Sequence, residues 1–545
     1  MTGSKARYTG AAPVGLAEGW SLERLAPPSR LFGANGLRTG PDGRVYVAQV
    51  AGSQISALDV DTGELETISA QGGDVVAPDD VDFGPEGDLY ITEYYDGRVS
   101  VRGADGASRV LRDDLPGANG ITFHQGRLFV NECRIGGRLM ELDLNGGAPR
   151  VLLEDLPMPN AMEVGPDGML YFPTLGGNDI WRIDPDGGEP ERVAADLGVP
   201  DAVKFDAQGR IVSTQVGSGE VLRIDPRNGE RTVLATVAPG LDNLTFVGGR
   251  LFVSGFTGQI TEILGGGRTR AVLPEGLTWP LDLTVDADGV LYVADGTYFH
   301  RYTPGAGLEM LGMLFSPGWP GYVRGAAAVG RGAFVVTTSN GQIARWTPAR
   351  GEHDVLAGGG EPFDRLYGVA VGPGGDVAAA ELGTGRVVSV RPTGEVTTLA
   401  EGLDRPMGVA FAADGTCLVS ESGAGRVVSV TASGTATTVV DGLATPQGIA
   451  VRGGTLLVVD AGAKTLIGAG LDGGSRTTIA RDLPVGPPPG VDPKPLKGLP
   501  PFSGPQGLFA GVAAGPDGTV YVSADAEGSV LALRDLRRGD LRRKG

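Results

Sequence analysis

Short runs in which β-branched and aromatic residues alternate with polar ones recur along the whole chain, each broken by a turn that carries glycine. Period-two alternation of this kind predicts half-buried strands, and PDG, PEG, ADG or GG between two runs predicts tight antiparallel hairpins. The repeating unit is a short apolar run, a turn, an alternating strand, a Gly-rich turn, and then a third and a fourth strand. LRTGPDGRVYVAQ, VDFGPEGDLYITE, ITFHQGRLFVNE, MEVGPDGMLYFPT, VKFDAQGRIVSTQ and LTFVGGRLFVSG are its first six copies. LTVDADGVLYVAD, AAVGRGAFVVTT, VAVGPGGDVAAAE, VAFAADGTCLVSE, IAVRGGTLLVVD and VAAGPDGTVYVSA are six more, so that twelve copies cover almost all 545 residues.

A repeat of about 40 to 50 residues signals a radial or linear array. Each copy reads as a four-stranded antiparallel sheet, which cannot bury both faces alone and gains a core by stacking on its neighbours. Twelve such blades in one ring leave a wide unfilled centre, whereas six close tightly. The expectation is therefore an all-β chain of two tandem six-bladed β-propellers: a tail at 1–17, a first propeller at 18–264, a second at 265–537 and a basic tail at 538–545. WSLERLA near the N-terminus and RTRAVLP after Gly265, Gly266 and Gly267 both resemble outermost strands. The first is expected to close the sixth blade and the second the twelfth. One segment, about 483–507, is too Pro-rich for strand or helix and reads as an inserted loop over the face of the second ring, as a lid, plug or spacer.

Composition narrows the function classes. Gly at 92 and Pro at 38 leave no tract suited to long helices, in keeping with all-β structure. A net charge of -19 argues against nucleic-acid and anionic-membrane partners, and the C-terminal RDLRRGDLRRKG reads as a solvated tail. Cys133 and Cys417 lie in different halves and are expected as reduced thiols. The N-terminus has no apolar signal-like core, and no run of about 18 apolar residues occurs, so a cytoplasmic protein with a small-molecule substrate is expected, with a protein partner as the alternative.

The first strand of a propeller blade lines the central channel, and the residue just before it points to the axis. In the first half that register selects Asn35, Asp79, Asn119, Asn160, Asp201 and Asp242, at steps of 44, 40, 41, 41 and 41 residues. The second half carries Leu281, Arg324, Tyr367, Met407, Gln447 and Ala510 at the same register, so the architecture itself does not demand Asn or Asp there. Either residue also caps turns, which accounts for any one position taken singly. Six together predict a divalent cation held by hard oxygen ligands, Ca²⁺ first, with Mg²⁺, Mn²⁺ or Zn²⁺ as alternatives.

These residues resemble the senescence-marker-protein/gluconolactonase family, six-bladed propellers of the strictosidine synthase/paraoxonase-type superfamily in which a divalent cation is held at the channel mouth by acidic and Asn side chains. The resemblance covers roughly residues 30 to 264. Asn119, Asn160 within PNAM and Asp201 within PDAV match the family's positions, while Asn35, within NGL, replaces the family's Glu. It implies a metal-dependent hydrolase of a lactone or related ester, with Asp201 as ligand and general base and with Asp79 and Asp242 balancing charge. A lyase, isomerase or cyclase on the same scaffold and a non-catalytic double-propeller binding module are the alternatives. The second half, with RPMGVAF and TPQGIAV, is similar to NHL-type repeats.

Acidic residues end the second strand in both halves, among them Glu93, Glu132, Asp295, Glu381, Glu421 and Asp460. Their recurrence predicts a turn role, with Glu93 and Glu132 as the acid/base candidates if they reach the first mouth. The three histidines, His124, His300 and His353, fall at no axial register. In the second ring, Arg324, Tyr367 and Gln447 form a candidate substrate-binding set beside Trp279 and Trp319: an Arg for a carboxylate and aromatics for an apolar body, or simply a plug of bulky side chains.

Overall fold

The computed structural model describes residues 7–8, 13–431, 433–500 and 503–537; the basic tail expected at 538–545 lies outside them. Apart from one short 3-10 turn at Pro348–Arg350, the named elements are all strands, and the chain is a β-propeller protein. Among the described residues no helix is long and apolar enough to cross a membrane. Two compact units divide it.

The first unit comprises Arg30–Thr278 together with Gly490–Leu499. It holds six four-stranded antiparallel sheets, each made of consecutive strands, beginning with Leu37–Thr39 to Leu65–Ser69 and ending with Leu241–Val247 to Arg268–Leu273. Their innermost strands neighbour one another in a closed circuit, the sixth packing against the first. Leu37, Val45 and Val47 of the first blade share a buried cluster with Phe252, Ile260 and Leu273 of the sixth. Elsewhere a second-strand tyrosine meets a phenylalanine of the next blade edge to face: Tyr46 and Phe83 at 4.9 Å, Tyr90 and Phe123 at 4.8 Å, Tyr171 and Phe205 at 4.9 Å. Each such pair adds about 0.5 to 1.5 kcal/mol beyond its buried area.

The second unit comprises the described residues of Met1–Ser29, Trp279–Pro489 and Pro500–Gly545, again with six sheets. Here the closing strand comes from the opposite end of the chain. Trp20–Ala26 pairs antiparallel with Ser529–Asp535, Leu22 opposite Leu533, and so completes the last blade. Gly15–Leu16 adds a fifth strand outside Arg476–Arg481.

These pairings correct the expected closures. WSLERLA completes the twelfth blade, not the sixth, because the last copy has no fourth strand of its own and leaves an open edge. RTRAVLP belongs to the sixth blade, where Arg268–Leu273 pairs with Ile260–Gly265. Gly265, Gly266 and Gly267 all have positive φ, 83°, 62° and 75°, so they form a tight reversal onto the same blade and not a linker. The change of unit falls after Thr278, and residues before Arg30 belong to the second unit.

The Pro-rich insertion also departs from expectation. Its centre, Gly490–Leu499, belongs to the first unit, while the flanking residues belong to the second. The Asp492 backbone packs against Gly72, the Leu499 side chain against Gly117, and Lys497 Nζ pairs with Asp96 Oδ1 at 3.1 Å. Gly72 and Gly117 precede innermost strands and Asp96 follows a second strand, so the segment lies on the mouth side of the first ring.

Candidate metal centre

Each axial residue of the first ring is set by its own blade and by the blade before it. Ser254 Oγ donates to the Asn35 carbonyl at 2.6 Å, Asn131 Nδ2 to the Asn160 carbonyl at 2.6 Å, and Thr214 Oγ1 to the Asp242 carbonyl. These donors occupy the fourth or fifth place of the second strands of the sixth, third and fifth blades, so in these three blades a polar side chain holds the next blade's axial backbone. Gly36 and Gly120, which follow axial residues, permit the approach: a Cβ there would stand 2.5 Å from the Asp79 carbonyl and 2.6 Å from the Asn160 carbonyl. Gly36 N donates to the same Asp79 carbonyl at 2.7 Å.

The six side chains do not act alike. Asn35 Oδ1 accepts from Val50 N at 3.1 Å while its Nδ2 donates to Asp242 Oδ2 at 3.0 Å. Asn160 Oδ1 accepts from Ala161 N at 2.7 Å while its Nδ2 donates to Asp201 Oδ2 at 3.1 Å. Both carboxamides therefore turn an N–H toward an aspartate and bind backbone with their oxygen. Asn119 Oδ1, in contrast, is buried without a hydrogen-bond partner.

Asp79, Asp201 and Asp242 are buried and feel one another's charge. Burial first and then Asp201 and Asp80 hold the Asp79 carboxyl well above the usual range. Burial and Asp80 push Asp201 up to about 8. Asp242 is raised by burial, Asp201 and Asp79, against the pull of its Asn35 bond. No basic side chain figures among the influences on these three acids. The Cys133 thiol is raised by burial and by the charge of the same three aspartates; sequence spacing offered no sign of that influence. Among the described residues, no group of three or more His, Cys, Asp or Glu side chains stands ready-made to hold a metal ion, so an ion here would draw on the carboxamide oxygen as well as on carboxylates.

One layer deeper, at the third residue after each axial position, the first channel carries Arg38, Asp82, Thr122, Glu163, Lys204 and Thr245. Arg38 pairs with Asp82 at 3.3 Å and Glu163 at 3.2 Å, and Lys204 Nζ with Glu163 Oε2 at 2.7 Å. Thr39 and Thr245 share a hydroxyl contact at 2.9 Å. Two cations and two carboxylates neutralise each other in this layer, and although Arg38 and Lys204 pull on Asp80, neither figures among the influences on Asp79, Asp201 or Asp242. Sequence reasoning passed over it, although the second ring shows Thr284 and otherwise alanine at the same register, Ala327, Ala370, Ala410, Ala450 and Ala513.

Glu93 and Glu132 stand away from this arrangement. Glu93 accepts from Val76 N at 2.5 Å and Arg98 Nη2 at 2.7 Å, and Glu132 is held by Arg134 and Arg138, at 2.9 Å in each case. Their counterparts in the second unit do the same work: Glu421 accepts from Asp404 N at 2.8 Å and Arg426 at 2.6 Å. The acids ending the second strands thus hold the mouth loops to the blades, and Asp201 alone of the acid/base candidates faces the axis. In the second ring, Gln447 Oε1 accepts from Ala510 N at 2.6 Å and is committed to backbone, while Arg324 lies over the Tyr367 ring at 4.5 Å.

Residues 20–254 match the family model described as the SMP-30/Gluconolactonase/LRE-like region. No curated protein matches the chain. Among solved structures, a streptogramin B lyase is 19% identical with a TM-score of 0.38, over 50% of this chain and 94% of that one. A virginiamycin B lyase from Staphylococcus aureus is 17% identical with a TM-score of 0.38, over 51% and 96%. A putative gluconolactonase is 18% identical with a TM-score of 0.37, over 47% and 95%.

Proposed function

With residues 20–254 carrying an SMP-30/Gluconolactonase/LRE-like region, we propose that the first propeller is a metal-dependent hydrolase of a lactone or related ester, with a divalent cation, Ca²⁺ before Mg²⁺, Mn²⁺ or Zn²⁺, at its mouth. The observation that carries this reading is the set of three buried aspartates with no basic neighbour among the groups acting on them. Three carboxylates confined together either retain protons or recruit a cation.

The donor set fits a hard cation. Asp79, Asp201 and Asp242 would supply carboxylate oxygens and Asn119 its partnerless Oδ1. Asn35 and Asn160 would orient Asp242 and Asp201 through their N–H groups. When bound, such a cation polarises a carbonyl and eases deprotonation of water. Asp201, freed of its proton and steered by Asn160, would accept the proton of an attacking water. Gly490–Leu499, lying on the mouth side, would limit water access around a bound ester.

Elemental analysis of the purified protein and of Asp201→Asn, followed by a lactone and ester panel with and without chelator, tests the reading. About one cation per chain is expected, with turnover lost on chelation and in the variant while the fold is retained. Full turnover after exhaustive chelation rules it out. A bound cation without hydrolysis of any ester in the panel transfers the site to proton abstraction next to a carbonyl, the chemistry of a lyase or isomerase.

A further inference from the structure

Arg324 is the second residue of an innermost strand of the second propeller, Val323–Gly330, and is 1% exposed. Its Nη2 donates to the Gly507 carbonyl at 2.7 Å. Nε and Nη1, which carry three of the five guanidinium N–H donors, are buried with no partner. Burial pulls its pKa down, and Tyr367 alone opposes that pull; no carboxylate takes part. Arg38, also at an inner strand of its ring, shows the ordinary arrangement, with Asp82 and Glu163 against it.

A buried cation without an anion is costly, and donors left unpaired in a folded core call for a group that completes them. The surroundings indicate which. The guanidinium lies 4.5 Å from the centroid of Tyr367 and 5.7 Å from that of Trp279, so the walls are aromatic and uncharged. Tyr367 in turn meets Phe509 at 5.8 Å between centroids. Phe509 lines a cavity of about 260 Å³ in the channel, whose other walls include Ala327, Ala370, Ala450 and Ala513. A single guanidinium offers the paired N–H geometry that a carboxylate accepts, and small apolar walls beyond it suit a hydrocarbon body.

We propose that Arg324 anchors the carboxylate of an apolar organic acid at the mouth of the second propeller, with the acid's body running past Tyr367 and Phe509 toward the alanine-lined channel. The Gly507 carbonyl holds one donor of the same guanidinium, so the acid would share Arg324 with, or displace, the Ser503–Phe509 stretch. This site is independent of the hydrolase reading, since it involves none of the first ring's residues.

Calorimetric titration of the full chain with phenylacetate, and with phenylacetamide as its uncharged match, tests the proposal on four proteins: wild type, Arg324→Met, Ala370→Leu and Asp201→Asn. Phenylacetate is expected to bind wild type and Asp201→Asn alike and to bind Arg324→Met at least about tenfold more weakly, the loss of one charge-assisted pair. Ala370→Leu, which fills the channel and keeps the Arg, is expected to weaken it as well. Arg324→Met is expected to melt no lower than wild type, because it removes an uncompensated buried charge. The proposal is overturned if phenylacetate does not bind wild type, if phenylacetamide binds equally well, or if Arg324→Met binds phenylacetate unchanged. A fall in the melting temperature of Arg324→Met, with binding retained by the folded fraction, would make the guanidinium a structural prop and overturn it too.

Discussion

Asn35, at the start of the first blade, donates a 3.0 Å hydrogen bond to Asp242, at the start of the sixth. The bond spans the point where the first ring closes and leaves the Asn35 oxygen on Val50 N. Asn160 repeats the arrangement with Asp201. Asn119 does not, and its oxygen has no partner.

Two asparagines of one ring should therefore respond differently to truncation. Asn35→Ala strands a buried carboxylate and a backbone N–H and is expected to cost about 1 to 3 kcal/mol of stability. Asn119→Ala is expected to leave stability almost unchanged but to weaken cation binding. Chemical denaturation of the chelated proteins, alongside Ca²⁺ titration, separates the two effects; equal loss of stability in both variants contradicts this division of roles.

Removal of residues 1–26 should affect one unit only. Trp20–Ala26 covers the edge of Ser529–Asp535, and without it the last blade exposes an unpaired strand. The truncated chain is expected to show early proteolysis within 279–537, with the fragment spanning residues 30–278 surviving. Mass spectrometry of a limited digest checks this, and an unchanged cleavage pattern would count against it.

Stability should fall as pH rises from about 4 to 7 in a way that Asp282→Asn reduces. Burial pushes the Asp282 carboxyl up to about 7, opposed by bonds from Ala326 N and Leu283 N. The folded form then binds more protons than the unfolded chain between about pH 4 and 7. Its contribution is complete below the unfolded pKa and is lost as pH climbs through 7. At about 1.4 kcal/mol per unit, the change approaches 4 kcal/mol at most. Urea denaturation of wild type and variant at pH 5 and pH 8 is expected to show wild type losing ground to Asp282→Asn at the higher pH; a gap independent of pH would refute the assignment.

Glu132→Gln should cost stability and not chemistry. Its carboxylate is fully buried beneath Arg134 and Arg138, both partly exposed. Loss of that charge is expected to cost about 2 kcal/mol, less than a wholly buried pair would. Turnover per folded molecule is expected to be unchanged. A loss of turnover with the melting temperature preserved would return Glu132 to the acid/base candidates.

The strands, their hairpins and the position of each axial residue were legible in the chain because alternation and turn chemistry are local, repeating within each copy of about 40 residues. PDG turns set the register, and the register led to Asn35, Asp79, Asn119, Asn160, Asp201 and Asp242. The inner layer of Arg38, Asp82, Glu163 and Lys204 was legible in principle by stepping three residues on, where the other ring has Thr or Ala.

Tertiary structure decided the rest, since it turned on partners far apart in sequence. Which open edge WSLERLA fills depends on the strand missing some 500 residues later, and a glycine triad reads alike as linker or hairpin until its neighbour is known. The insertion's place depends on contacts of Asp492, Lys497 and Leu499 with loops some 400 residues earlier in the chain, at Gly72, Asp96 and Gly117. Six similar side chains became donors, acceptors and one partnerless oxygen only when each blade met the next, because a hydrogen bond is assigned by what stands within about 3 Å in space.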